Sequence, residues 1–191
     1  MKQIILASKS PRRKEIFKKT GLSFIVEESN YKEDMSLRLS PTALAKQLSQ
    51  EKAKAVAKKH NNAIVIAADT FVVLDDMILG KPHTNQKAKE MLRMLSGKTN
   101  LVITGVTILD TDSGQMDCFS DQASVSIKQL SESEIDQYVQ SGEPLDKAGA
   151  YAIQGLGAIF IEKIEGDFYG VMGLPLFQVV ERLKGFGIHI L

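Results

Sequence analysis

The stretch Ala63-Ile64-Val65-Ile66-Ala67-Ala68-Asp69-Thr70-Phe71-Val72-Val73-Leu74 decides the fold. Its β-branched content and its length read as a buried strand. Asp75-Asp76 then forms a hairpin turn into a short strand, Met77 to Leu79, which Gly80-Lys81-Pro82 breaks. A carboxylate in the middle of that apolar run is costly. Burying it takes several kcal/mol unless it is paired, metal-bound or facing a cleft. A structural Asp that caps a turn would sit at the end of the run, so Asp69 reads as a functional group, binding a metal or taking a proton from water.

Upstream, Ser40-Pro41 opens a helix that runs to about Lys59, with Ser as the cap and Pro at the first helical position. Leu44, Leu48, Lys52 and Val56 fall four apart and share one face. Lys52 therefore lies on an apolar stripe, either snorkelling outward or reaching inward into a cleft. Residues 3–7 read as another buried strand. Ser10-Pro11 then opens a helix to about Thr20, and Ser23 to Val26 reads as a short strand. The first helical turn holds Arg12 and Arg13, the wrong sign for a helix N-terminus. Two readings stand: an anion site, where N–H groups, dipole and guanidinium groups converge, or a solvated basic turn.

Downstream, Thr84 to Ser96 reads as a helix with Ala88, Met91, Leu92 and Leu95 inward. Leu101 to Leu109 is a strand too apolar on both faces to be an edge, and Met116 to Lys128 is a half-exposed strand. Ser131 to Glu134 is a capping box that starts a helix to about Gln140. Ser141 to Gly157 is a Gly-rich loop, and Ala158 to Ile164 reads as a strand. Gly173-Leu174-Pro175 opens a last helix carrying Leu176, Phe177, Val179, Val180 and Leu183. The alternation and the central hairpin predict an α/β domain with a mixed sheet.

The chain has 191 residues, one domain's worth, and a formal net charge of +1, which argues against a nucleic-acid partner. A single cysteine, Cys118, excludes an internal disulfide and a cysteine-only metal site. No apolar run approaches a membrane span and no secretion signal leads the chain, so a cytoplasmic location is expected. The histidines His60, His83 and His189 lack zinc spacing, and Ser96-Gly97-Lys98-Thr99 lacks the first glycine of a P-loop. Lys81 and Lys147, in loops, join Arg12, Arg13 and Lys52 as a cation set suited to a polyphosphate. Glu33 and Asp69 are then candidates to hold Mg²⁺, which takes a few carboxylates plus phosphate oxygens and water.

Several ordered blocks carry a resemblance that covers essentially the whole chain. They are Leu6-Ala-Ser-Lys-Ser-Pro-Arg-Arg13, Glu51-Lys-Ala-Lys-Ala55, Ala68-Asp-Thr70, Gly80-Lys-Pro82, Leu95-Ser-Gly97, Asp146-Lys-Ala-Gly-Ala-Tyr151 with Ile153-Gln-Gly155, and Val171-Met-Gly-Leu-Pro175. With these the chain resembles the Maf family of nucleoside triphosphate pyrophosphatases, also called septum formation inhibitors.

The resemblance implies hydrolysis between the α and β phosphates with Mg²⁺ or Mn²⁺. It implies a single domain over 1–191. Its mixed, strongly twisted α/β sheet and flanking helices would make two lobes around a cleft, related to the inosine triphosphate pyrophosphatase fold. It implies a homodimer and a link to cell division.

The family's proton acceptor falls on Asp69, with Glu33 as a second metal ligand. Other active-site positions fall on Ser8, Arg12, Arg13, Lys52, Lys81 and Gln154. Arg12, Thr70 and Gln154 match the subgroup that resembles dTTP/UTP pyrophosphatases, which also accept some modified pyrimidine nucleotides. Gln154 offers both a donor and an acceptor for the O4 and N3–H edge of uracil or thymine. The rival readings are a 7-methyl-GTP pyrophosphatase and a nucleotide-binding division regulator that needs no turnover. On the favoured reading Ser8 to Arg13 is one wall of a triphosphate cleft.

Overall fold

A computed structural model describes residues 2–32, 34 and 37–190. Its strands are β1 (Gln3–Leu6), β2 (Ile25–Val26), β3 (Ala63–Leu74), β4 (Met77–Leu79), β5 (Thr99–Asp110), β6 (Met116–Ile127) and β7 (Ile161–Glu165). Its helices are α1 (Pro11–Lys18), α2 (Pro41–Ala57), α3 (Asn85–Leu95), α4 (Glu132–Gln140), α5 (Phe168–Val171) and α6 (Leu176–Leu183). Among the described residues the strands form one sheet in the order β2-β1-β3-β5-β6-β7, with β4 also paired to β3. Pairs β1–β2 and β1–β3 are parallel, whereas β3–β4 and β6–β7 are antiparallel. The mixed α/β sheet expected from the sequence is therefore present, and β3 spans the residues predicted for it.

The chain divides into two compact units. The first holds residues 1–69, 104–121 and 173–191; the second holds 70–103 and 122–172. In the first unit, α2 lies over the β1 and β3 face. Ala53 and Val56 pack with Ile5, Ala7, Ala63, Val65 and Ala67. The register of α2 is fixed further along by β5. A Cβ on Gly105 would stand 2.3 Å from the Ala45 backbone, so only glycine admits this approach. One turn on, the Ser49 and Thr107 hydroxyls share a hydrogen bond of 2.8 Å between buried side chains. In the second unit, Leu92 and Leu95 of α3 and Ile135 and Val139 of α4 join Val125 and Ile127 of β6 in one core.

The caps read from sequence at Ser10, Ser40 and Ser131 are formed, and Thr84 caps a further helix. Ser10, Ser40, Thr84 and Ser131 each accept from a backbone N–H at the start of α1, α2, α3 and α4, and Ser131 with Glu134 completes the capping box.

One expectation is corrected. The segment expected as strand from Ala158 begins instead as a 3₁₀ turn, Leu156–Phe160, and β7 starts only at Ile161. The Gly157 N–H bonds a side chain rather than a strand partner, which holds this segment in the turn. Phe177, one of the apolar residues that the last helix carries, is 71% exposed. At that helix's short length, Val179 and Leu183 on the opposite face fill the core and leave no place for it.

Candidate active site

Asp69 is 7% exposed on β3. Side chains alternate along a strand, so Ala63, Val65, Ala67 and Asp69 share the face that α2 covers. Lys52 precedes Ala53 and lies one turn before Val56 on that helix, and its Nζ reaches Asp69 Oδ1 at 2.5 Å. Their side chains are 14% and 10% exposed. Of the two readings for Lys52, the structure selects the inward one, because the lysine lies on the helix face between buried Leu48 and Val56, one turn to either side. A carboxylate buried to this degree stays charged only beside such a partner.

The backbone around Asp69 is open to function. β3 pairs with β1 through Ile66 and with β4 from Val72, so Asp69 falls in the interval between the two ladders. Beside it, the β1 chain ends with the Ala7 N–H donating to the Ile66 carbonyl at 2.7 Å. Ser8 follows at once and is 7% exposed. Its Oγ accepts from the Ser10 N–H at 3.2 Å, and the Ser10 hydroxyl in turn caps α1 at the Arg13 N–H. This turn is thus held by its own serines, which fixes the start of α1 and the two arginines on it.

Arg12 and Arg13 are half-buried, which disfavours a fully solvated basic turn. Arg13 Nε donates to the Gly173 carbonyl at 2.7 Å. Sequence reasoning saw Gly173-Leu174-Pro175 only as a helix start and missed this role. Only its Gly-Leu-Pro punctuation gave a hint. Using Nε as the anchor puts the guanidinium's other four N–H protons on its two terminal nitrogens, the geometry suited to phosphate. The neighbouring Lys9 pairs with Glu28 at 2.8 Å on the surface.

Thr70, Lys81 and Gln154 belong to the second unit. Thr70 is half-buried and follows Asp69 directly on β3. Lys81 and Gln154 are exposed. The Lys81 loop is tied to the Gly-rich loop, because the Gly149 N–H donates to the Gly80 carbonyl at 3.1 Å and the His83 N–H to the Leu145 carbonyl at 3.1 Å. Lys147 forms an ion pair with the adjacent Asp146. Glu33 lies outside the described residues. The structure therefore brings Lys52 and Asp69 together, with Ser8 and the arginines on the segment that follows β1.

Among the described residues, no helix is long and apolar enough to cross a membrane. Nor do three or more His, Cys, Asp or Glu side chains gather into a metal cage among them.

Comparison with known proteins places this geometry in a family. A profile of the Maf-like proteins matches residues 3–186. A Methanosarcina barkeri protein named dTTP/UTP pyrophosphatase is 49% identical over 191 residues, covering 100% of this chain and 97% of that one. A Methanococcoides burtonii protein of the same name is 52% identical over 193 residues, with 100% and 98% covered. One from Bacillus pumilus, also so named, is 45% identical over 188 residues, with 98% of each chain covered. Among solved structures, the Staphylococcus aureus Ham1 protein aligns with 66% of this chain and 72% of its own at a TM-score of 0.48 and 16% identity, too loose a likeness to carry an argument. The profile match and the full-length relatives show that the chain belongs to the Maf family.

Proposed function

We propose that this protein is a nucleoside triphosphate pyrophosphatase that hydrolyses dTTP and UTP to the monophosphate and pyrophosphate. The observation that carries the reading is the Lys52–Asp69 pair, an ammonium carried by α2 against a carboxylate in the middle of β3. Relatives at 45–52% identity over their full length bear the name of that activity.

In this reading Asp69 orients the attacking water and takes its proton. Lys52 keeps that carboxylate charged and aimed, then offers its ammonium to the phosphates. Arg12 and Arg13 neutralise charge that develops on the phosphate oxygens and the pyrophosphate leaving group, and Ser8 donates to a phosphate oxygen. Lys81 adds a further cation. Thr70, Arg12 and Gln154 select the base, and Gln154 pairs with the O4 and N3–H edge.

Asp69 is a buried hard-oxygen donor and fits Mg²⁺ or Mn²⁺, which takes one or two carboxylates and completes its shell with phosphate oxygens and water. Glu33 is the proposed second ligand. When bound, the metal supplies charge neutralisation on the phosphate oxygens. A homodimer, a cytoplasmic location and a part in septum formation belong to the same proposal through the family resemblance, and sedimentation tests the first.

The test is a panel of dTTP, UTP, 7-methyl-GTP and purine triphosphates with Mg²⁺ or Mn²⁺, scored for the phosphate that leaves. Pyrophosphate released fastest from dTTP and UTP is expected. Orthophosphate as the product, or a preference for 7-methyl-GTP, overturns the reading.

A further inference from the structure

The segment that carries Gln154 has almost no regular structure of its own, yet it is tied down on both sides. Before Gln154, the Ala152 N–H donates to the Tyr138 hydroxyl oxygen at 3.3 Å. After it, the Leu156 N–H donates to Glu143 Oε2 at 3.0 Å and the Gly157 N–H to Glu143 Oε1 at 3.1 Å. The two anchors are themselves joined, for the Tyr138 hydroxyl donates to Glu143 Oε1 at 2.8 Å. One hydroxyl and one carboxylate thus bracket Gln154 by backbone bonds two residues to either side.

The anchors are well held. Tyr138 is 4% exposed on α4, and its ring meets Phe160 edge-on at 5.0 Å between centroids. Glu143 follows Gly142, whose φ of 75° turns the chain sharply off the end of α4. The sequence also makes room for the anchors. A Cβ on Gly155 would lie 2.0 Å from Glu143 Oε2, and one on Gly157 would lie 2.6 Å from the Tyr138 hydroxyl. The chain omits side chains where the carboxylate and phenol must reach the backbone.

The charge state agrees. Burial pushes the Glu143 carboxyl up, but the Gly157 N–H, the Tyr138 hydroxyl and the Leu156 N–H together bring it below its ordinary value. Burial, and then Glu143 itself, push the Tyr138 phenol up, so it stays a donor. An ionised acceptor with several donors on it is a stiff clamp.

We propose that Tyr138 and Glu143 are positioning residues for base selection, clamping residues 152–157 so that Gln154 meets the pyrimidine edge in one orientation. Neither touches the substrate. The proposal rests on Gln154 reading the base, as put forward above. A clamp of this kind acts on binding of the base rather than on chemistry at the phosphates, so it changes KM and leaves kcat nearly alone.

The experiment compares Tyr138→Phe, Glu143→Gln, Gln154→Ala and the double variant Glu143→Gln/Gln154→Ala in the full-length protein. It measures kcat and KM for dTTP, UTP and 7-methyl-GTP, together with hydrogen exchange at the Leu156 and Gly157 amides. Glu143→Gln puts an NH₂ where an acceptor is needed and is expected to speed exchange at both amides. It is expected to raise KM for dTTP and cut the preference for dTTP over 7-methyl-GTP by about fivefold to tenfold, the size of one lost hydrogen bond. Tyr138→Phe, which keeps the ring packing, should do the same to a smaller extent. In the Gln154→Ala background Glu143→Gln should change the preference no further.

If Gln154→Ala lowers the preference and both clamp variants leave it intact, the proposal is overturned while the base reading stands. If the clamp variants lower kcat equally on every triphosphate with the preference unchanged, their role is structural and the proposal is overturned. If Gln154→Ala itself leaves the preference unchanged, the base reading fails and takes the proposal with it.

Discussion

Two regions of this chain hold functional side chains by opposite means. Around Asp69 the scaffold is regular: a strand under a helix whose register is set by close backbone approach at Gly105. Around Gln154 it is irregular: 3₁₀ turns, glycines, and backbone N–H groups fastened to Tyr138 and Glu143. Packing fixes the first region and polar bonds fix the second. A proton acceptor and its counter-charge tolerate little displacement, because misplacement by an ångström costs large factors in rate. A base-reading amide sits in a loop, where polar ties can be adjusted without disturbing a core.

The largest effect that tests this contrast is chemical. Asp69→Asn keeps the shape of the buried side chain and removes its basicity, so turnover should fall by about 10²–10⁴. The fold should survive, with a loss of stability of no more than about 3 kcal/mol because the pair with Lys52 is broken. A variant that retains wild-type turnover would break the assignment of Asp69.

Next comes the pair itself. Lys52→Met leaves a buried carboxylate without its ammonium and should cost about 3 kcal/mol of stability in urea melts. Adding Asp69→Asn to that variant should restore much of the loss, since no uncompensated charge then remains. A double variant no more stable than Lys52→Met would show that the pair is not the source.

The glycines sharpen the comparison directly. In Gly105→Ala the new methyl meets the Ala45 backbone, which cannot yield without moving α2, and a loss of about 1–3 kcal/mol is expected. That shift should also lower kcat, because Lys52 rides on α2. In Gly155→Ala the methyl meets the end of the Glu143 side chain, which can rotate away. Stability should change by about 1 kcal/mol or less, while base preference suffers. Equal losses of stability from the two substitutions would erase the distinction between packing and polar ties.

The smallest effect is acid sensitivity, to which carboxylates of both units contribute, with Asp110 and Glu134 held lowest. The Lys2 ammonium holds buried Asp110 down at about 2. In the second unit, Lys128 and then Ser131 hold Glu134 at about 2. Both folded values lie below those of an unfolded chain, about 3.9 for Asp and 4.3 for Glu. The stability they supply is therefore present above about pH 4 and is lost as pH falls toward 2. Urea melts across that window should show the decline, and Lys2→Met should flatten only the part due to Asp110 and Asp112.

Much of the scaffold was legible before any coordinates. The β-branched run from Ala63 to Leu74 can be little else than a buried strand, and Ser-Pro starts helices for local reasons of capping and fixed φ. Asp69 stood out because a lone carboxylate in that run breaks the pattern. Less legible were Phe177, whose helix turned its other face inward, and the start of β7, where a side-chain carboxylate competes for the backbone.

Local chemistry therefore determined the elements, their caps and the suspicion that fell on Asp69, since propensity and periodicity act within a few residues. Whether Lys52 snorkelled or turned inward was left open by its stripe, and the tertiary structure decided it by laying α2 across β3 and β5. The Arg13 bond to Gly173 spans 160 positions of sequence and the Lys52 bond to Asp69 spans 17. The anchoring of the Gln154 loop by Tyr138 and Glu143 depends in the same way on helix, turn and loop meeting in space. No periodicity encodes such meetings, because they are set by which faces the core buries.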